Sequence, residues 1–195
     1  MAAKKLGILG DGHVGSAIAR GAQRAGYEVR AVGSDKKAQR ETAAWGDMVV
    51  LAVPFAALDE VVKSVGDALD SKTVVDVTNA LGPQLKLAVG FTTSGAEELQ
   101  KKAPKARVAK AFNTIFAQHM DTGRVGDQRL TAFVASDDAR AKSDTLELAR
   151  GIGFDAVDAG PLESARLLEP LALLNIRLGY MLGMGTGIGF ELVHH

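Results

Sequence analysis

Short apolar runs alternate with stretches of helical periodicity from the start of the chain. Lys5-Leu6-Gly7-Ile8-Leu9 reads as a buried strand, followed by a glycine loop and a helix from about Gly15 to Ala25. Glu28 to Val32 reads as a second strand, and Asp47 to Val53 as a third closed by Pro54. A helix over roughly Ala56 to Leu69 follows, with Leu58, Val61, Val62 and Val65 spaced i, i+3, i+4, i+7. Thr73 to Val77 and Arg107 to Phe112 are further strands. Leu130 to Ala135 and Phe154 to Val157 are weaker ones around a helix of about Asp138 to Arg150. After Gly160-Pro161 the alternation stops and an apolar helical tail begins. This order predicts an α/β fold with a doubly wound, largely parallel sheet and a small C-terminal helical segment.

Composition narrows the function classes. The 23 Lys and Arg balance 23 Asp and Glu, which argues against a broadly cationic nucleic-acid binder and against adsorption to an acidic membrane. With no cysteine there is no disulfide framework, no thiolate nucleophile and no Cys-ligated zinc, and no metal site is expected. Met1-Ala2-Ala3-Lys4-Lys5 resembles the charged start of a signal peptide, but Asp11, Gly12 and His13 interrupt the apolar run behind it. The longest uncharged part of the tail, Leu178 to Phe190, is 13 residues and too short to span a bilayer. A cytoplasmic protein is expected. The 22 glycines, without low-complexity sequence, point to tight turns and close backbone approaches to a ligand.

The glycines have one clear focus. Gly10-Asp11-Gly12-His13-Val14-Gly15 matches G-x-G-x-x-G directly after a strand and opening a helix, the context that gives the motif meaning. Gly10 permits the turn, Gly12 lets a pyrophosphate approach, and Gly15 lets the helix pack on the strand, with the helix N-terminus facing the anion. A turn without a ligand is the plain alternative, and His13 reads as a spacer offering its backbone N–H. An NAD site carries a carboxylate at the end of the second strand, a position held here by Val32 or Gly33. Ser34, Lys36 and Lys37 supply a hydroxyl and two cations suited to the 2′-phosphate of NADP. Asp35 has the spacing of an NAD carboxylate, yet reads as loop beyond the strand, and residues 34–37 also suit a solvated polar turn.

Ligands of doubly wound sheets sit beyond the carboxyl ends of the strands. Those ends are Val53-Pro54-Phe55, Thr78-Asn79-Ala80 and Phe112-Asn113-Thr114-Ile115. Pro54 stops the ladder, while Asn79 and Asn113 offer amides for a carboxamide or a heterocycle edge, or else bond their own turns. No paired carboxylates, Ser/His/Asp set or H-E-x-x-H appears, and hydride transfer requires none of them.

Together these segments resemble the F420-dependent NADP oxidoreductases and, more distantly, the reductase domain of STEAP-type metalloreductases. The resemblance runs over nearly the whole chain. It includes the glycine loop, Gly33-Ser34, Ala52-Val53-Pro54, residues 75–79 and residues 109–115. The most specific segment is Asp158-Ala159-Gly160-Pro161-Leu162-Glu163-Ser164-Ala165-Arg166-Leu167-Leu168-Glu169, which looks like that family's D-A-G-P-L-x-x-[SA]-R-x-x-E pattern. The resemblance implies an NADP-binding Rossmann domain over residues 1–160. It implies a helical segment over 161–195 that packs on the site or on a partner subunit. It also implies hydride transfer between NADP(H) and coenzyme F420 or a flavin, with no protein nucleophile. The pyrophosphate would rest on residues 10–15, the 2′-phosphate near Ser34, and the nicotinamide near Asn79 and Ala80. The second ring would lie against Pro54, Asn113, Thr114 and Ile115. In that family an arginine commonly follows the serine, where this chain has Asp35 and then Lys36. Some members carry histidine at the position of Asn113, so the acceptor stays open between F420, a flavin and a ferric chelate.

Leu167, Leu171, Leu174 and Leu178 form a core or dimer stripe, and a homodimer is expected. Residues 183–190, with four glycines, suit a backbone approach to the second ring or a partner, or a flexible end. The final His194-His195 suit a tag remnant. An imine reductase or hydroxy-acid dehydrogenase would need a longer helical substrate domain with a catalytic Lys or His. An NADP(H)-sensing module without turnover is the non-enzymatic alternative.

Overall fold

The computed structural model describes residues 3–193, so Met1, Ala2 and His194-His195 lie outside the described residues. The chain folds in the order β1 (Lys5–Leu9), α1 (His13–Arg24), β2 (Glu28–Val32), α2 (Lys36–Trp45), β3 (Met48–Leu51), α3 (Leu58–Val65), β4 (Thr73–Asp76). It continues through α4 (Gly95–Lys102), β5 (Arg107–Lys110), a two-strand hairpin β6 (Arg124–Val125) and β7 (Gln128–Arg129), then β8 (Thr131–Ser136), α5 (Ala139–Ile152), β9 (Asp155–Asp158) and α6 (Ala165–Ile176). Seven strands form one sheet in the order β2-β1-β3-β4-β5-β8-β9. The first five run parallel, β8 pairs antiparallel with β5, and β9 runs parallel to β8.

The alternation of side chains along each strand supplies both faces. Leu6, Ile8, Val50 and Val75 pack with Ile18, Leu148 and Ile152, so α1 and α5 cover one face. Leu9, Val49, Leu51, Val74 and Val108 pack with Leu58, Val61, Val65 and Leu99, so α3 and α4 cover the other. Each such fully buried Leu, Ile or Val contributes roughly 1.5–3 kcal/mol, which fixes the register of the sheet. The fold is the expected doubly wound, Rossmann-like α/β architecture with a C-terminal helix.

Differences from the sequence reading have physical causes. Helix α2 is not among the helices the sequence pattern predicts, because its buried face is Gln39, Thr42 and Ala43 rather than an apolar stripe. Asp35 is its N-cap and accepts from the Ala38 N–H at 2.7 Å. Helix α4 buries one large apolar side chain, Leu99, and is announced instead by a capping box in which Ser94 and Glu97 bond each other. The strand expected over 47–53 ends at Leu51, and the one expected to reach Phe112 ends at Lys110. The helix expected over 56–69 is three pieces, with α3 flanked by 3₁₀ turns. No helix among the described residues is long and apolar enough to cross a membrane.

Candidate functional site

The direction of winding reverses between β1 and β3, where the crevice of a doubly wound sheet opens. A cleft of about 400 Å³ lies there, lined by the Gly10–Gly12 turn, Gly33, Ser34, Lys36, Gln39, Ala52–Pro54, Ala57, Glu60 and Val61. The three motif glycines divide by surroundings. Gly10 has φ +114°, and a Cβ there would lie 2.2 Å from the Ala52 carbonyl oxygen. A Cβ on Gly15 would lie 1.8 Å from the Gly10 carbonyl oxygen, so α1 rests directly on the turn. A Cβ on Gly12 would meet nothing within 4 Å. Gly10 and Gly15 build the loop, and Gly12 faces open space at the N-terminus of α1, where unpaired backbone N–H groups favour an anion.

At the end of β2 the cleft is polar and of mixed charge. Gln39 donates to the Gly33 carbonyl at 2.8 Å, and the Asp11 carboxylate lies 2.9 Å from where a Cβ on Gly33 would stand. Lys36 pairs with Glu60 at 2.6 Å, and this lysine holds the Glu60 carboxyl below the usual carboxylate range. Lys37 points elsewhere, 3.9 Å from Glu41. The structure therefore brings Gly10, Asp11, Gly12, Ser34, Lys36, Val53 and Pro54 into one cleft. Gly15 is buried beneath the loop and Val14 packs on the core. His13 lines a neighbouring recess with Arg20, Phe116, Gln118, Tyr180 and Thr186.

The other expected residues gather beyond β4 and β5. Asn79 donates to the Asn113 carbonyl at 3.0 Å, and Asn113 donates to the Asn79 side-chain oxygen at 3.1 Å and to the Leu168 carbonyl at 2.9 Å. Both amide hydrogens of Asn113 are thus committed to the protein, so its role as donor to a ligand gives way to fixing Asn79 and α6. The Asn175 amide donates to the Thr114 carbonyl at 3.0 Å, and Ile115 is buried. Phe112, immediately before this group, has φ +64° although it is a bulky core residue, a strained conformation of the kind that clusters at functional sites. Ala80 is buried beside Asn79.

Sequence reasoning missed Gln39, Glu60 and a fully buried ionic group. Lys110 donates to Asp76 at 3.0 Å, contacts Glu169 at 3.0 Å and donates to the Thr78 carbonyl. The available signal was a charge inside each of two otherwise apolar runs, Lys110 between Ala109 and Ala111 and Asp76 between Val75 and Val77. In the tail, Gly179 packs on Phe116 and Gly189 on Leu130, whereas Gly183, Gly185 and Gly187 meet open space. Leu167, Leu174, Tyr180, Met181, Leu182 and Met184 are exposed. No cluster of His, Asp or Glu suited to a metal occurs among the described residues.

Residues 5–80 match the family model described as NADP oxidoreductase, coenzyme F420-dependent. The F420-dependent NADP reductase of Methanocaldococcus jannaschii is 30% identical over 176 residues, covering 84% of this chain and 74% of that protein. The metalloreductase STEAP3 of Rattus norvegicus is 31% identical over 205 residues, covering 96% of this chain, which spans only 41% of that relative. A crystal structure from Arthrobacter sp. FB24, described as a candidate F420-dependent NADP-reductase, superposes with TM-score 0.89 at 29% identity, covering 99% of this chain and 100% of that one. An imine reductase from Myxococcus stipitatus, at 17% identity and TM-score 0.68, shares the fold alone. With its glycine cradle at the switch point and matching relatives along its length, the chain belongs to the family of F420-dependent NADP oxidoreductases.

Proposed function

We propose that this protein transfers a hydride reversibly between NADP(H) and the ring of coenzyme F420. The observation that carries the reading is Gly12, a glycine with no packing reason to be one, which faces an open cleft at the N-terminus of α1. That arrangement fits a pyrophosphate held by the backbone of residues 10–15, with Gly10 and Gly15 maintaining the turn. Ser34 and Lys36 hold the 2′-phosphate, Lys37 adds long-range positive charge, and Val53 and Pro54 flank the ribose. NADPH, when bound, supplies the hydride. The chain contributes position and dryness: Asn79 and Asn113, locked together, align the nicotinamide beside the half-buried Asn79 and the acceptor ring against Thr114 and Ile115. Residues 1–160 serve as the cofactor-binding unit. The segment from 161 covers the acceptor side, and a second copy of the chain covers its exposed Leu167, Leu174, Tyr180 and Met181.

A flavin or ferric reductase is the second reading, favoured by the 31% identity to STEAP3 across 96% of this chain. The test follows NADPH oxidation at matched concentrations of F420, FMN, FAD and a ferric chelate. Turnover with F420 alone supports the first reading, and turnover with flavin or iron alone supports the second. Tight NADPH binding with no oxidation by any of the four refutes both and leaves a sensing module.

A further inference from the structure

We propose that Lys110, together with Asp76 and Glu169, is a positioning device for the hydride-transfer end of the site. The inference rests on the oxidoreductase reading above. Lys110 and Asp76 are 0% exposed and Glu169 is 1% exposed, the most deeply buried charges among the described residues. The ammonium donates to an Asp76 oxygen and to the Thr78 carbonyl, and a Glu169 oxygen lies 3.0 Å from it in an ion pair. The carboxylates are equally committed. Asp76 accepts from the Thr78 N–H at 2.8 Å, and Glu169 accepts from the N–H groups of Gly95 and Ala96 at 3.0 and 3.3 Å. Two carboxylates facing one ammonium leave a negative excess, which the N-terminus of α4 offsets.

What this group holds explains its place. Both backbone polar groups of Thr78 are clamped, which sets the orientation of the peptide leading into Asn79. Glu169 lies on α6 next to Leu168, whose carbonyl receives the Asn113 amide. The triad therefore joins the ends of β4 and β5, the start of α4 and the middle of α6 around the Asn79–Asn113 pair. No member lines the cleft that holds Gly12 and Lys36. Burial alone pushes the Lys110 ammonium down, but Asp76 and Glu169 outweigh it and hold its pKa above the ordinary lysine value. A mere stability device would be better served by apolar side chains, since buried ion pairs gain little over them. The charged triad supplies fixed geometry where the two rings must meet, and a displacement near 1 Å there costs roughly 100-fold in rate.

The test uses the whole protein and two variants. Asp76→Asn/Lys110→Met/Glu169→Leu removes all three charges together and so avoids leaving one unpaired. Glu169→Gln removes one charge and keeps an oxygen for Lys110. Each is titrated with NADPH, following the fluorescence of the bound nicotinamide, and with 2′-phospho-ADP-ribose, which has the adenine half but no nicotinamide. kcat and KM are measured with the acceptor that the wild type reduces. The expected result is affinity for 2′-phospho-ADP-ribose within about two-fold of wild type, a weakened nicotinamide signal, and kcat reduced roughly 10- to 100-fold. Glu169→Gln is expected between the triple variant and wild type. Either variant, folded and showing wild-type kcat and nicotinamide fluorescence, overturns the inference alone. If the triple variant does not fold, Glu169→Gln decides by the same readouts. Wild-type protein that binds no NADPH defeats the functional reading and this inference together.

Discussion

Gly12 separates folding from binding, and Gly12→Asp measures the difference. Its backbone is extended, with φ −67° and ψ −171°, so any residue adopts it without strain. It is also the N-cap of α1, where aspartate is among the preferred residues, and a Cβ there meets nothing within 4 Å. Stability should therefore change by no more than about 0.5 kcal/mol, a shift of one or two degrees in Tm for a chain of this length. Binding should respond very differently. A carboxylate about 5 Å from one phosphate charge, at an effective dielectric near 20, costs about 3 kcal/mol. That corresponds to a loss of roughly 100-fold in Kd, before any steric exclusion is added. Fluorescence titration with NADPH, beside urea or thermal unfolding of the same preparation, reads both quantities. Gly15→Ala supplies the contrast, because its Cβ collides with the Gly10 carbonyl at 1.8 Å and the loop itself must shift. A folded Gly12→Asp protein that binds NADPH with wild-type affinity refutes the assignment of the loop.

Other outcomes follow from single contacts. Glu60→Gln releases Lys36 from its ion pair, so NADPH affinity should rise about two- to five-fold while NADH affinity stays level, as parallel titrations would show. Hydrogen bonds from Arg166 hold the Glu97 carboxyl below its ordinary value of 4.5, against an opposing effect of burial. A carboxyl with a lowered folded pKa contributes stability that is complete above pH 4.5 and is lost as the pH falls through the folded value. Arg166→Gln should accordingly flatten the decline of the urea midpoint between pH 5 and about 3, and an unchanged decline would remove Glu97 from the explanation. Leu167→Asp/Leu174→Asp should shift the sedimentation profile from dimer to monomer if a second copy covers α6, and a monomeric wild type would defeat that proposal.

Much of the scaffold was legible because local pattern and tertiary role coincide. Lys5–Leu9 and Glu28–Val32 appear as strands at the expected residues, and the glycine motif runs from the end of β1 into the first turn of α1. Legibility failed where burial is polar or small. Helix α2 hides Gln39 and Thr42, and α4 hides Gly95 and Ala96, so neither shows an apolar stripe of helical period. The antiparallel turn of β8 against β5 was equally invisible, since periodicity reports which face a residue takes and carries no strand direction.

The sequence by itself determined the succession of strands and helices and the glycine turn after β1, because glycine spacing and apolar alternation are local signals read along the chain, and the family resemblance lay in its motif segments, residues 158–169 above all. The tertiary structure added what surrounds each motif glycine: a Cβ on Gly10 or Gly15 would collide with backbone, whereas one on Gly12 would meet nothing within 4 Å. It also turned Asn79 and Asn113 from two independent amides into one locked pair, and placed Lys110 between Asp76 and Glu169. Those partners are separated by 34 and 59 positions in the sequence. Their meeting depends on strand order and on where α6 docks, which no local pattern encodes.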